Sequence, residues 1–199
     1  MSSPPRDTHR TKLIEAACKL LREREYGNIT ARDLVAASGT NLGSIGYHFG
    51  SKEALLNEAI GVALEQWAER IGETIRGDGA GGLPVLMGSL GLVLDSHAEA
   101  RPYYRAFIAA LARSEHSPEL RAQLVAHYRR QRERIAGWVR DAVSDALEPA
   151  EARHIASLML ATADGMLVQS FVDPSAVPSS SELGGAMAKA FARAAQPVR

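Results

Sequence analysis

A chain of 199 residues, 46% hydrophobic and 23% charged, is composed like a globular protein and unlike a fibrous or disordered one. Its 23 basic and 23 acidic residues cancel, which excludes a uniformly basic nucleic-acid coat protein yet leaves room for a local basic surface. The single cysteine, Cys18, excludes an intramolecular disulfide, and its place among Ile14, Ala17 and Leu21 reads as a small core residue. The opening MSSPPRDTHR lacks the apolar run of a secretory leader, and no window approaches 18 consecutive strongly apolar residues; the expectation is a cytoplasmic protein with no membrane partner.

In chain order, Leu13, Ile14, Ala17, Leu20 and Leu21 recur at helical spacing from about Thr8 to Glu25, with charges on the other side. A second, short helix follows Thr30, which can cap it with Asp33 at the reciprocal position, and leaves through Gly39. A third spans roughly Leu42 to His48 and closes at Gly50, and Ser51 caps a long fourth from about Lys52 to Ile75. RGDGAGG, residues 76–82, reads as a linker. Pro84 opens a helix toward Ala98, Pro102 opens another through Leu111, and Ser117 with Pro118 starts one reaching about Leu147. The last two are expected around Ala150 to Phe171 and Glu182 to Ala195, giving nine helices, no strand and an all-α fold.

Two short helices separated by SGT and preceded by a longer one form the pattern of a helix-turn-helix, although small packing units that never touch nucleic acid share it. Thr40, Asn41, Gly43 and Ser44 offer small polar groups and close-approaching backbone at the start of the third helix. Over Thr11 to Ile60, and above all in TARDLVAASGTNLGSIGYHFGSKEALL, the chain resembles the N-terminal region of the TetR family of transcriptional regulators. That resemblance implies an N-terminal three-helix head with a helix-turn-helix, residues 1–52, and a larger helical ligand-binding and dimerisation body, residues 53–199.

Carried over by motif position, the resemblance assigns Ala31, Leu34, Ala37, Gly39, Ile45 and Phe49 to the framework. It assigns Thr30, Arg32, Thr40, Asn41, Ser44, Tyr47, His48 and Lys52 to regions that meet DNA. Tyr47 can donate its hydroxyl to a phosphate, and a phosphate beside Lys52 would offset an ammonium placed at a helix start. His48 is left between a bond inside the head and a backbone contact. By the same resemblance, Gly46 stands where members of the family often carry a larger side chain.

In the body, Trp67, Met87, Tyr103 and Tyr104, with Phe107, His127, Tyr128 and Trp138, read individually as core. If their helices converge, they line an apolar cavity for a small-molecule effector. The arginines of HYRRQRERIAGWVR read as a solvated helix face, not a second DNA site. Ile155, Leu158, Met159, Thr162 and Met166, then Leu183, Met187 and Phe191, form apolar stripes on the last two helices. In a chain of this resemblance they are expected to meet a second copy as a four-helix interface.

The resulting expectation is a homodimeric, ligand-responsive repressor on a two-fold operator in double-stranded DNA. Transcriptional activation, or a helical ligand-binding signalling protein acting through a protein partner, are the alternatives. No cofactor, metal cluster or nucleophile–base arrangement is expected, so the chain is not read as an enzyme.

Overall fold

The computed structural model describes residues 7–77, 91–93, 95–143 and 147–194. Among them lie eight α-helices, three single turns of 3-10 helix and no strand. The helix expected from Pro84 falls largely outside the described residues, as does Met87; residues 91–93 and 95 are helical.

Helix α1 (Asp7–Glu23) buries Leu13, Ile14, Ala17, Leu20 and Leu21 on one face, at the spacing the sequence shows. A 3-10 turn, Tyr26–Asn28, and the fully buried Ile29 lead into α2 (Ala31–Ser38). Thr30 and Asp33 cap α2 reciprocally: the Asp33 amide donates to Thr30 Oγ1 at 3.2 Å, and the Thr30 amide donates to Asp33 Oδ2 at 2.8 Å. Gly39, at φ 65°, ends α2 in the left-handed region where a Cβ is costly. Helix α3 (Leu42–Phe49) starts at Asn41, whose Oδ1 accepts the Ser44 amide at 3.0 Å, and stops at Gly50, φ 79°. Helices α1, α2 and α3 pack on one another.

Ser51 caps α4 (Lys52–Gly77) by accepting the Ala54 amide at 3.0 Å, and Leu55, Leu56, Ala59, Ile60, Ala63 and Leu64 are buried along it. Its first turns are tied to the preceding elements: Tyr26 donates to Asn57 Oδ1 at 3.0 Å, Arg10 pairs with Glu58, and Cys18 lies 3.4 Å from the Ala59 carbonyl. Arg76 and Gly77, expected in a linker, are the last residues of α4, whereas residues 78–82 lie outside the described set.

Helix α5 (His97–Arg113) corrects the sequence expectation, because it runs straight through Pro102 instead of beginning there. The chain turns earlier, at Ser96, and the apolar stripe Ala100, Tyr103, Tyr104, Phe107 and Ala110 is buried across the proline. A mid-helix proline costs about 3 kcal/mol. Burial of one large apolar side chain recovers roughly 1.5–3 kcal/mol, so two or three such residues outweigh it.

Helix α6 (Pro118–Val143) begins at Ser117, which accepts the Leu120 amide at 3.2 Å; residues 144–146 lie outside the described set, and Leu147, the expected end, is not helical. Helix α7 (Pro149–Val172) has proline at its first position, where no amide partner is lost. Ala136 and Val139 of α6 form a core with Ala152 and Ala156 of α7, flanked by Ile135, Ile155 and Met159. A 3-10 turn, Pro174–Ala176, packs against α7, and α8 (Ser180–Ala194) follows with Ser179 and Glu182 capping each other.

The chain forms two compact units: Met1–Gln66 with Ala100–His127, and Trp67–Glu99 with Tyr128–Arg199. The first therefore contains the whole helix-turn-helix together with parts of α4, α5 and α6.

One property of α7 was not expected from the sequence. An 18-residue stretch of it has a mean hydropathy of 1.5, so by length and composition it is apolar enough to cross a membrane. Only 22% of that stretch is buried inside the chain, and Leu158 and Val172 are 69% and 87% exposed. Such a face needs a cover, either lipid or another protein surface.

Candidate nucleic-acid interface

The outward side of α3 follows from its helical period. Positions 42, 43, 46 and 47 share one face, and 44, 45, 48 and 49 the other. Ile45 is buried and Phe49 is half-buried beneath the Arg10 guanidinium, 5.5 Å from its ring centroid; these hold the helix to the head. Tyr47 is 74% exposed and Leu42 54% exposed, large values for residues of this size. The outward face is therefore Leu42, Gly43, Gly46 and Tyr47.

The sequence-assigned contact residues fall into two groups. Thr30, Arg32, Asn41 and Tyr47 are exposed, and Thr40 and His48 are half-buried, His48 lying edge-on to Tyr47 at 4.9 Å between ring centroids. Thr40 shares a 2.7 Å hydrogen bond with Ser38, whose own hydroxyl also reaches the Val35 carbonyl. Ser44 and Lys52 are placed differently from the sequence reading.

Ser44 is only 8% exposed. Its hydroxyl donates to Asn41 Oδ1 at 3.3 Å and shares a 3.3 Å hydrogen bond with His9 Nδ1. This serine thus sits inside the head, bracing the start of α3 against α1. Lys52 Nζ donates to the Ile29 carbonyl at 3.0 Å and pairs with Glu53 at 3.3 Å. His9, Leu42 and Arg10 were missed by motif reasoning. For Leu42 the helical period alone was a sufficient signal; for His9 and Arg10 only the packing of α1 on α3 and α4 reveals the role.

Electrostatics around α2 are set by Asp33. The Thr30 hydroxyl and amide donate to its carboxylate, and Arg24 pairs with it at 2.9 Å, which together lower its pKa from 3.8 to about 2. Cys18 is half-buried, and burial pushes its thiol up to about 11, so it stays protonated near neutral pH.

The aromatic residues of the body separate between the two units. In the first, Tyr104 and Phe107 meet edge to face at 6.0 Å, Phe107 lies 5.6 Å from the buried His127, and Glu65 approaches His127 Nδ1 at 3.8 Å. Tyr103 instead points to α1, its hydroxyl donating to the Cys18 carbonyl at 3.4 Å. In the second, Trp67 donates to Ser96 Oγ at 3.0 Å, and Trp138 packs on Gly72. Tyr128 donates to Asp164 at 2.9 Å; burial, then the Asp164 charge, raises its pKa well above 10. Of the stripe residues, Leu158 is exposed and Ile155, Met159, Thr162, Met166, Leu183 and Met187 are half-buried, while the side chain of Phe191 is outside the described set. The arginine-rich face of α6 is largely exposed at Arg129, Arg130, Arg132 and Arg140, as expected, with Arg134 pairing to Glu69 at 3.5 Å.

A capped three-helix head with an exposed third helix, followed by a helical body, defines the helix-turn-helix class of transcriptional regulators. Residues 13–59 match the family model of bacterial regulatory proteins of the tetR family, and residues 85–195 match the C-terminal region of BetI-type transcriptional repressors. The chain belongs to the TetR family of transcriptional regulators. It is 36% identical over 66 residues to the HTH-type transcriptional repressor KstR2 of Rhodococcus jostii (strain RHA1), a match covering 30% of this chain and 32% of that repressor.

Among solved structures, a candidate transcriptional regulator from Rhodococcus sp. RHA1 aligns with a TM-score of 0.70 at 19% identity, over 94% of this chain and 95% of that one. A candidate regulator from Saccharomonospora viridis, solved in complex with choline, aligns with a TM-score of 0.58 at 21% identity, over 90% and 93%. At these identities the structures establish a shared fold.

Proposed function

We propose that the chain is a homodimeric repressor that holds a two-fold operator through its helix-turn-helix and leaves it when a small molecule enters the helical body. The outward face of α3, with Tyr47 standing clear of the head, carries this reading. A phenol there can donate to a phosphate, while the exposed side chains of Arg32 and Asn41 near the starts of α2 and α3 would fix register along the backbone. We place the functional boundary between residues 52 and 53, inside the first compact unit, with the DNA-holding part before it and the sensing and dimerising part after it.

Two observations support the body's role. The exposed apolar face of α7 suits a second copy, which would present the two heads to half-sites about 34–36 Å apart on one side of the duplex. The Tyr104, Phe107 and His127 cluster, with Glu65 beside it, offers rings and a carboxylate to an effector, and the S. viridis regulator, solved in complex with choline, supports a protein of this fold taking up a small organic molecule. An effector must distinguish the bound and released states by several kcal/mol to switch occupancy.

The test is binding of the purified full chain to its own promoter region at low salt with nonspecific competitor. A shift to a complex of two chains per duplex is expected, and no binding above competitor level would end the repressor reading.

A further inference from the structure

Resting on the DNA-binding reading above, we propose that Leu42 reads sequence directly, seating its isobutyl group against the 5-methyl of a thymine in the major groove. Three observations lead there. Leu42 is 54% exposed on the outward face of α3, although burying such a side chain would stabilise the head. The polar groups nearest to it are engaged within the protein: the Ser44 hydroxyl with Asn41 and His9, Asn41 Oδ1 with the Ser44 amide and hydroxyl, and the Thr40 hydroxyl with Ser38. Finally, the position one turn on is Gly46, where an added Cβ would meet nothing within 4 Å.

Together these give a face with one isobutyl group, two stretches of bare backbone and one phenol. The edges of base pairs in the major groove present donors, acceptors and a single apolar group, the thymine methyl. Leu42 matches that group. Against guanine or cytosine the same side chain would cover donors and acceptors without replacing their water, which penalises the wrong base. The bare ribbon at Gly46 lets the base edge come close beside Leu42, which a larger residue at that position would prevent. Sequence preference then comes from a methyl contact and close fit more than from a bidentate hydrogen bond.

The experiment replaces each thymine of an operator-bearing duplex with deoxyuridine, which deletes only the methyl, and measures binding of the full chain and of Leu42→Ala. At one thymine per half-site, uracil should weaken the unaltered chain about fourfold, the factor that burying one methyl-sized group carries, and roughly fifteenfold when both half-sites are changed. Leu42→Ala should bind the natural duplex more weakly and be indifferent to uracil at that position. Because Leu42 is exposed, the variant is expected to fold, and its unchanged binding to random duplex checks this. The proposal fails if no thymine methyl matters to the unaltered chain, or if the uracil penalty persists in Leu42→Ala. A chain that binds no duplex at all overturns the repressor reading as well, whereas tight binding with no uracil effect overturns the role of Leu42 alone.

Discussion

Lys52 Nζ lies 3.0 Å from the carbonyl oxygen of Ile29, so the first residue of α4 is tied to the segment that enters α2. The ammonium thus positions the helix-turn-helix even before any phosphate is considered. Lys52→Met should cost about 1 kcal/mol, less than the roughly 1.5–3 kcal/mol usual for a charged hydrogen bond, because the side chain is partly exposed. A fall of roughly 2–4 °C in melting temperature follows for a chain of this size. DNA titrations across salt then separate the two roles of Lys52. A slope lowered by about 1 marks a phosphate contact, and an unchanged slope with weaker binding marks positioning alone.

Acid should loosen the start of α2 through Asp33. Its folded pKa, about 2, lies below the ordinary 3.8, so the carboxylate contributes stability that is complete above the ordinary value and lost as pH falls toward 2. Asp33→Asn removes that contribution. Thermal melts of the two chains should differ near neutral pH and converge at the acid end of the window; parallel melting temperatures throughout would show that the Thr30 and Arg24 contacts carry no linkage.

Two glycines inside helices should respond oppositely to alanine. At Gly72 a Cβ would stand 2.4 Å from Trp138 Cζ2 and 2.6 Å from Cε2, atoms of a rigid ring, so Gly72→Ala forces a shift costing roughly 1–3 kcal/mol. That exceeds the gain of about 1 kcal/mol in helix propensity. At Gly46 only the propensity gain applies, and Gly46→Ala should stabilise the chain by up to about 1 kcal/mol. Urea unfolding measures both, and a stabilised Gly72→Ala would contradict the close packing against Trp138.

The contrast between those glycines shows what the sequence could and could not disclose. Helix starts were legible because Thr30, Ser51 and Ser117 cap through atoms only a few residues away, and the apolar period of α1 named its buried face directly. Motif position placed Ser44 and Lys52 near DNA, yet their partners, His9 and Ile29, are 35 and 23 residues distant, and no local pattern encodes such pairings. Pro102 misled for the opposite reason: a local rule was outweighed by the buried stripe running through it. The apolar spacing of α7 is visible in the sequence, but which of its positions stay uncovered is not: Ile155 and Met159 pack against the core shared with α6, while Leu158 and Val172 leave an exposed apolar face.

Placing a charge on that face tests its cover. Leu158→Glu, at a residue 69% exposed in the single chain, should leave folding intact and convert the proposed dimer to monomer in sedimentation. Specific operator binding should fall with it, because one head alone forfeits the second half-site. A Leu158→Glu chain that still sediments as a dimer would place the interface elsewhere.

Asn41 and Gly50 define both ends of α3 in the free chain. Helix α3 is thus already formed, and groove binding through it, as proposed, carries little ordering entropy on the protein side. Encounter with DNA is then paced by diffusion and ion atmosphere, and the lifetime of the complex by the contacts released on departure.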